Sequence, residues 1–217
     1  MNENPTAGTG HHDAMMADVS RYYEARLAEH GETARGVDWN GEDSQTLRFR
    51  QLCGIIRGKG DFSINDLGCG YGALYDFLVR EYDPFFYTGI DISENMIRAA
   101  ENRHRGKDRI RFVRAAEPDR TADYGVASGI FNVRLDRSDT AWERFIRKTL
   151  DALDRTSRVG FAFNCLTVYS DPDRMRDHLY YADPGALFDL CKRRYARNVA
   201  LLHDYDLYEF TLLVRKA

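Results

Sequence analysis

Between residue 42 and the C-terminus, short runs of β-branched and aromatic residues alternate with stretches whose apolar positions return every three or four residues. That is the rhythm of strands interleaved with amphipathic helices. Phe49, Leu52, Cys53 and Ile56 form the stripe of a helix expected to start at Asp43 or Ser44, with Arg48 and Gln51 off that stripe. A strand follows over Phe62 to Leu67, then a helix carrying Ala73, Leu74, Phe77 and Leu78, then a strand from Phe85 to Ile90 that ends at Asp91. Ser93 caps a helix running to about His104, and Arg109 to Arg114 alternates charged and apolar residues as an edge strand does.

A fourth strand lies within Ala122 to Ile130, and the cleanest helical period spans Ser138 to Leu153, where Trp142, Phe145, Ile146, Thr149, Leu150 and Leu153 share one face. Val159 to Val168 is almost continuously apolar, the mark of a strand covered on both sides. Asp183 and Pro184 supply the N-cap and first position of a helix with Leu187, Phe188 and Cys191. Asn198 to Leu202 and Leu207 to Val214 are strands joined through His203 to Asp206, a link too short for a crossover helix, so they form an antiparallel hairpin. The pattern predicts an α/β fold, a doubly wound, mostly parallel sheet of seven strands closed by that hairpin.

Upstream, Val19, Tyr22, Tyr23 and Leu27 mark a helix from Ala17 to about His30, stopped at Gly31, and Gly36 to Gly41 is a loop around Trp39. Residues 1–14 have no apolar period and read as a disordered tail. One domain is expected over 15–217, with the helix and a lid loop over 15–41, the core over 42–217 and a polar insertion at about 169–183.

Composition narrows the classes. A length of 217 residues suits a single α/β domain, and 31 Lys+Arg against 34 Asp+Glu, a net charge of −3, speaks against partners such as nucleic acid or an anionic membrane. Cys53, Cys69, Cys165 and Cys191 are widely spaced, and His11 with His12 lacks a third ligand nearby, so no metal is expected. No apolar run approaches the roughly 18 residues a membrane span needs, and no basic segment leads into an apolar one at the N-terminus. A cytoplasmic location is the expectation.

The chemistry concentrates in Ile64-Asn-Asp-Leu-Gly-Cys-Gly-Tyr-Gly72. Gly68, Gly70 and Gly72 allow a tight strand-to-helix turn whose N–H groups approach a ligand closely. Asp66 changes which ligand fits, because a turn that holds pyrophosphate avoids negative charge, whereas a carboxylate suits a ligand with an ammonium group. Asp91 lies about 20 residues beyond the turn, the spacing of an acid that binds ribose hydroxyls. Gly68 to Ala73 also meets a loose dinucleotide fingerprint, but Asp66, the hairpin and the lack of chain for a substrate domain weigh against a dehydrogenase.

Taken together, Asp66-Leu-Gly-Cys-Gly-Tyr-Gly72, Tyr87-Thr-Gly-Ile-Asp-Ile-Ser-Glu-Asn-Met96 and the closing hairpin resemble the class I S-adenosylmethionine-dependent methyltransferases over about residues 42–217. The resemblance implies a Rossmann-like sheet and S-adenosyl-L-methionine as cofactor. It places Asp66, Gly68, Cys69, Gly70 and Tyr71 on the cofactor turn, Asp91 at the ribose, and Ile92 and Met96 on the adenine. Many members carry an Asp after strand three; here Ala116 and Glu117 occupy that stretch, so the adenine amino group is expected at Glu117 or at backbone. Arg48 is either a solvated charge or a partner for the cofactor carboxylate, and Trp39 either a plug or part of a lid.

Ligands of doubly wound sheets bind beyond the carboxyl ends of the strands, which nominates Ser128, Gly129 and Asn132 after strand four and Asn164 and Tyr169 near the end of strand five. Asn132 and His203, the latter beside Asp204, are the candidate catalytic groups. Tyr22, His178, Tyr180 and Tyr181 are expected to roof an acceptor pocket. The expected activity is N- or O-methylation of a polar small molecule in secondary metabolism or glycan modification. An RNA or protein methyltransferase, and a non-catalytic cofactor-binding subunit of a partner enzyme, stay open, as does the oligomeric state.

Overall fold

The computed structural model describes residues 7–58 and 60–216. Its strands are β1 (Phe62–Leu67), β2 (Phe85–Asp91), β3 (Ile110–Arg114), β4 (Ala122–Ala127), β5 (Ser157–Leu166), β6 (Asn198–Leu202) and β7 (Glu209–Arg215). Its helices are α1 (Ala7–His30), α2 (Glu42–Cys53), α3 (Ala73–Glu81), α4 (Glu94–Arg103), α5 (Asp139–Arg155) and α6 (Pro184–Arg194). The strands form one sheet in the order β3-β2-β1-β4-β5-β7-β6. Pairing is parallel from β3 through β5, and β7 runs antiparallel to both β5 and β6. This is the doubly wound, Rossmann-like topology that the alternating apolar pattern predicts.

The continuous apolar run of β5 follows from its place between β4 and β7, where Ala162 sits opposite Val126 on one side and Leu213 on the other. Side chains on its two faces enter two separate apolar layers. Leu52, Leu74 and Leu78 pack with Ile64, Tyr87 and Val126 in one layer, and Trp142, Leu150, Leu153 and Cys191 pack with Phe161 and Phe163 in the other. Side-chain caps form at the expected residues: Ser93 Oγ accepts from Met96 N at 3.2 Å, Ser138 Oγ from Ala141 N at 3.3 Å, and Asp183 Oδ1 from Gly185 N at 2.7 Å.

Four local expectations change. α1 begins at Ala7, inside the stretch read as a tail, because a helix anchored by buried Met15 and Val19 extends at far less cost than it nucleates. Residues 1–6 of that tail, and the side chains of His11 and His12, lie outside the described residues. α2 is capped by Gly41, which places Glu42 and Asp43 in the first turn beside the positive end of the helix dipole. It ends at Cys53, so Ile56 falls beyond it and Ile55 is the isoleucine that is fully buried. Arg48 is also buried, at 5% exposure, and not off the buried face.

The connection from β3 to β4 contains no helix and crosses β2 and β1 as an irregular strap over residues 115–121. Buried Asn65 ties it down, donating from Nδ2 to Arg120 O at 2.8 Å. Among the described residues no helix is long and apolar enough to cross a membrane, no His, Cys, Asp and Glu side chains cluster as a metal site would need, and all four cysteines are free and buried.

Two features position the site. Crossovers from β1 go one way, to β2 and β3, while β4 lies on the other side, so the carboxyl ends of β1 and β4 open a crevice between them. Because β7 is antiparallel, its first residue Glu209 pairs with Leu166 at the end of β5 and stands at the same edge of the sheet.

Candidate active site

β1 delivers the chain into a turn whose three glycines all adopt positive φ, 78° at Gly68, 54° at Gly70 and 82° at Gly72. A side chain is excluded at Gly68 on a second count, since a Cβ there would lie 2.1 Å from Ile130 Cγ2. The turn is stitched to the end of β2: Gly68 N and Cys69 N donate to Ile90 O at 2.7 and 3.0 Å, and Gly70 N donates to Asp91 Oδ2 at 2.9 Å. Ser93 N donates to the other carboxylate oxygen, Oδ1, at 2.9 Å. Each oxygen of Asp91 is thereby oriented by one backbone donor and keeps accepting capacity for a further hydroxyl. Burial raises the pKa of Asp91, opposed by the N–H groups of Ser93 and Gly70.

Asp66 is buried beneath the turn and accepts from Tyr87 Oη at 2.6 Å. Its pKa is pushed up to about 7, chiefly by burial, with the Tyr87 bond pulling it down and the nearby Asp91 charge adding to the rise. A carboxyl poised there favours a cation brought against it.

Above these residues is a partly enclosed cavity. Asp66, Gly68, Cys69, Gly70 and Tyr71 line it from the turn, Asp91, Ile92, Ser93 and Met96 from the end of β2, and Ala115, Ala116, Ser128 and Ile130 from beyond β3 and β4. Its roof is α1, through Met16, Val19, Ser20 and Tyr23, continued by Val37 and Trp39. The roof is latched through the C-terminal half of α1. Ser93 Oγ donates to Glu24 Oε1 at 2.9 Å, and Asp38 accepts from Tyr22 Oη at 2.7 Å and Arg26 Nε at 3.0 Å.

Polar groups in this cavity fit a nucleoside cofactor. Ser128 Oγ is buried without a hydrogen-bond partner among the described residues, and Tyr23 faces the same space. Burial drives the Tyr23 pKa well above the ordinary tyrosine value, so the group is a neutral donor and not a base.

Of the residues named from the sequence, the cavity gathers Asp66, Gly68, Cys69, Gly70, Tyr71, Asp91, Ile92, Met96, Ala116, Ser128 and Trp39. Others fall elsewhere. Glu117 points away and accepts from Arg155 at 2.7 Å, leaving Ala115 and Ala116 as the lining from that segment. Arg48 is not solvated: it is buried, its Nε pairs with both oxygens of Glu209 at 2.9 Å each, and it stands outside the cavity lining. Asn132 Oδ1 accepts from Leu166 N at 3.1 Å, and Asn164 bridges Gly129 N and Glu209 at 2.7 Å each, so both amides serve the loop framework.

The expected acceptor residues scatter as well. Tyr22 and His178 line a separate open groove with Asp18, Arg21 and Arg134. Tyr180 donates to Glu143 at 3.3 Å and Tyr181 Oη accepts from Arg176 N at 2.9 Å. Tyr169 is 73% exposed, and exposed His203 rests between it and Phe210, outside the cavity lining. Sequence reasoning passes over Tyr23, Glu24, Gln45 and Glu209. The helical period includes Tyr23 together with Tyr22, and periodicity alone does not tell which of two neighbours faces a ligand.

Comparisons with known proteins bear on the family and the fold. A family model described as a methyltransferase domain matches residues 64–156. A Mycobacterium tuberculosis protein, Rv1506c, whose name assigns it as a methyltransferase, is 63% identical over 163 residues, covering 75% of this chain and 98% of that one. Among solved structures, DhpI bound to SAH aligns with a TM-score of 0.63 at 17% identity over 94% of this chain and 97% of the other. Human N-acetylserotonin methyltransferase bound to SAM aligns with a TM-score of 0.57 at 16% identity over 81% of this chain and 57% of the other.

Proposed function

Because the chain belongs to the S-adenosylmethionine-dependent methyltransferases, we propose that it methylates an oxygen or nitrogen of a polar small molecule held beside the cofactor under α1. The observation that carries this reading is the roof. With Met16, Val19, Ser20 and Tyr23 over the cavity, a folded RNA or a protein segment reaches it only if α1 lifts, whereas a small acceptor needs only the cavity's mouth. Asp91 takes the ribose hydroxyls, Ile92 and Met96 pack on the adenine, backbone at Ala115 and Ala116 meets its amino group in place of Glu117, and Asp66 faces the ammonium end.

The cofactor, when bound, supplies an electrophilic methyl group on a sulfonium. The chain's contribution is then placement: a nucleophile aligned with the methyl reacts without extensive acid–base machinery. Tyr23 donates a hydrogen bond that orients the acceptor, and His203, outside the cavity lining, has no part in the transfer. Incubating the protein with methyl-labelled S-adenosylmethionine and separate pools of metabolites, RNA and protein tests this. Label is expected in the low-mass pool; label confined to RNA or protein would sink the proposal.

Asp66 gives a second test. With its pKa raised to about 7, the free protein holds a proton there at lower pH, and a bound ammonium favours the carboxylate. Affinity for S-adenosylhomocysteine is therefore expected to rise between pH 5.5 and 7, by up to about tenfold per unit, and then level off. The sign for folding is opposite. The native state keeps a proton that the unfolded chain has lost above about 4, so the Asp66 contribution to stability falls as pH rises from about 4 to 7. Calorimetry should find both slopes reduced in Asp66→Asn, and unchanged slopes would exclude Asp66 as their source.

A further inference from the structure

Behind the Trp39 wall of the cavity lies a buried polar relay with no solvent contact to explain it. Arg48 donates from Nε to both oxygens of Glu209 at 2.9 Å and from Nη2 to Oε1 at 2.7 Å. Glu209 Oε2 also accepts from Asn164 Nδ2 at 2.7 Å, and Asn164 Oδ1 accepts from Gly129 N at 2.7 Å. Exposure is 5% at Arg48, 1% at Glu209 and 0% at Asn164. Burying such a pair removes two charges from water, and apolar residues of similar volume often stabilise a fold as well. Arg48 Nη1 even lacks a hydrogen-bond partner among the described residues.

Both ends of the relay converge on the same place. The Arg48 guanidinium lies 3.9 Å from the centre of the Trp39 ring. A Cβ at Gly129 would come within 2.4 Å of Trp39 Cη2 and Cζ2, so the outer edge of the indole rests on the Gly129 backbone that Asn164 holds. Trp39 and Ser128 both line the cavity.

We propose that Arg48, Glu209 and Asn164 are positioning residues that fix the Trp39 indole and the Ser128–Gly129 turn as one wall of the cofactor cavity. The inference rests on the reading of that cavity as the cofactor site. Polarity makes the relay directional: Glu209 must accept from both Arg48 and Asn164 for Asn164 to present an acceptor to Gly129 N. Glu209→Gln sets an amide N–H₂ against one of these donors and disturbs the wall at Trp39 or Gly129 according to which side it faces.

The test titrates the full-length protein with S-adenosylhomocysteine by calorimetry and by tryptophan emission. Trp39→Phe should abolish the ligand-induced change in emission, because the other tryptophan, Trp142, is fully buried in the core. An Arg48→Met/Glu209→Met double variant, which fills the volume without charge, should melt cooperatively yet bind about tenfold more weakly, with Trp39 emission shifted to the red. Arg48→Lys keeps the charge and should show a smaller loss in the same direction. A well-folded double variant with native affinity and an unaltered Trp39 signal would overturn the proposal, as would a ligand-induced change that persists in Trp39→Phe. Should the double variant not fold, native affinity and emission in Arg48→Lys would be decisive against it. Failure of the wild-type protein to bind S-adenosylhomocysteine would be a distinct result, removing the cofactor reading and this inference with it.

Discussion

Asp91→Ala is expected to weaken S-adenosylhomocysteine binding by about two to four orders of magnitude, measured by calorimetry at constant pH. The carboxylate is aimed by Gly70 N and Ser93 N at 2.9 Å each, and a hydroxyl bound to a charged acceptor contributes about 1.5–3 kcal/mol. Two ribose hydroxyls account for the expected range, since each 1.4 kcal/mol is roughly tenfold in affinity. Asp91→Asn separates charge from shape: it retains one acceptor but turns an N–H₂ toward Gly70 N or Ser93 N, so it should lose nearly as much. Near-native affinity in both variants would mean that the ribose sits elsewhere.

The second large effect concerns folding. Gly68→Ala should destabilise the protein by about 2–4 kcal/mol, combining the roughly 1–2 kcal/mol cost of a left-handed alanine with the cost of forcing a methyl against a β-branched neighbour. Its φ is 78°, and the new Cβ meets Ile130 Cγ2 at 2.1 Å. Gly106→Ala is the control, because Gly106 has a φ of 77° and a Cβ added there would meet nothing within 4 Å. It should cost only the backbone part, about 1–2 kcal/mol. Equal losses for the two variants in denaturant titrations would show that Ile130 moves aside freely and that the turn tolerates a side chain.

Gly68 and Asp91 are legible in the sequence because turn chemistry and ribose recognition are local. The strand and helix around Gly68 are adjacent in the chain, and the spacing to Asp91 reflects a single β/α unit. Most of the sheet is legible for the same reason, down to the short link between β6 and β7 that forces a hairpin. β7 nonetheless starts at Glu209 and not at Leu207, since its first residue is set by pairing with Leu166, a partner far away in sequence.

What the sequence conceals depends on distant partners. Arg48 reads as a surface position because helical periodicity ranks residues by polarity, and nothing local announces that Glu209 on β7 waits to neutralise it. The roof is equally hidden. α1 has little amphipathic contrast, and Met15, Val19 and Tyr23 acquire a buried face only through packing on the layer that holds Trp142 and Phe145. Asn132 and Asn164 lie beyond or near the ends of β4 and β5, as the strand pattern predicts, but position there does not decide whether an amide turns toward a ligand or toward a neighbouring loop. Here each has a backbone N–H to satisfy, at Leu166 and Gly129.

The arrangement of cofactor groups under α1 is tested most directly by the crystal structure of the complex with S-adenosylhomocysteine. The expected density fills the cavity, with both ribose hydroxyls within hydrogen-bond distance of the Asp91 carboxylate, the adenine between Ile92 and Met96, and the amino group toward Asp66. A nucleoside bound outside the cavity, or one whose ribose faces away from Asp91, would contradict it.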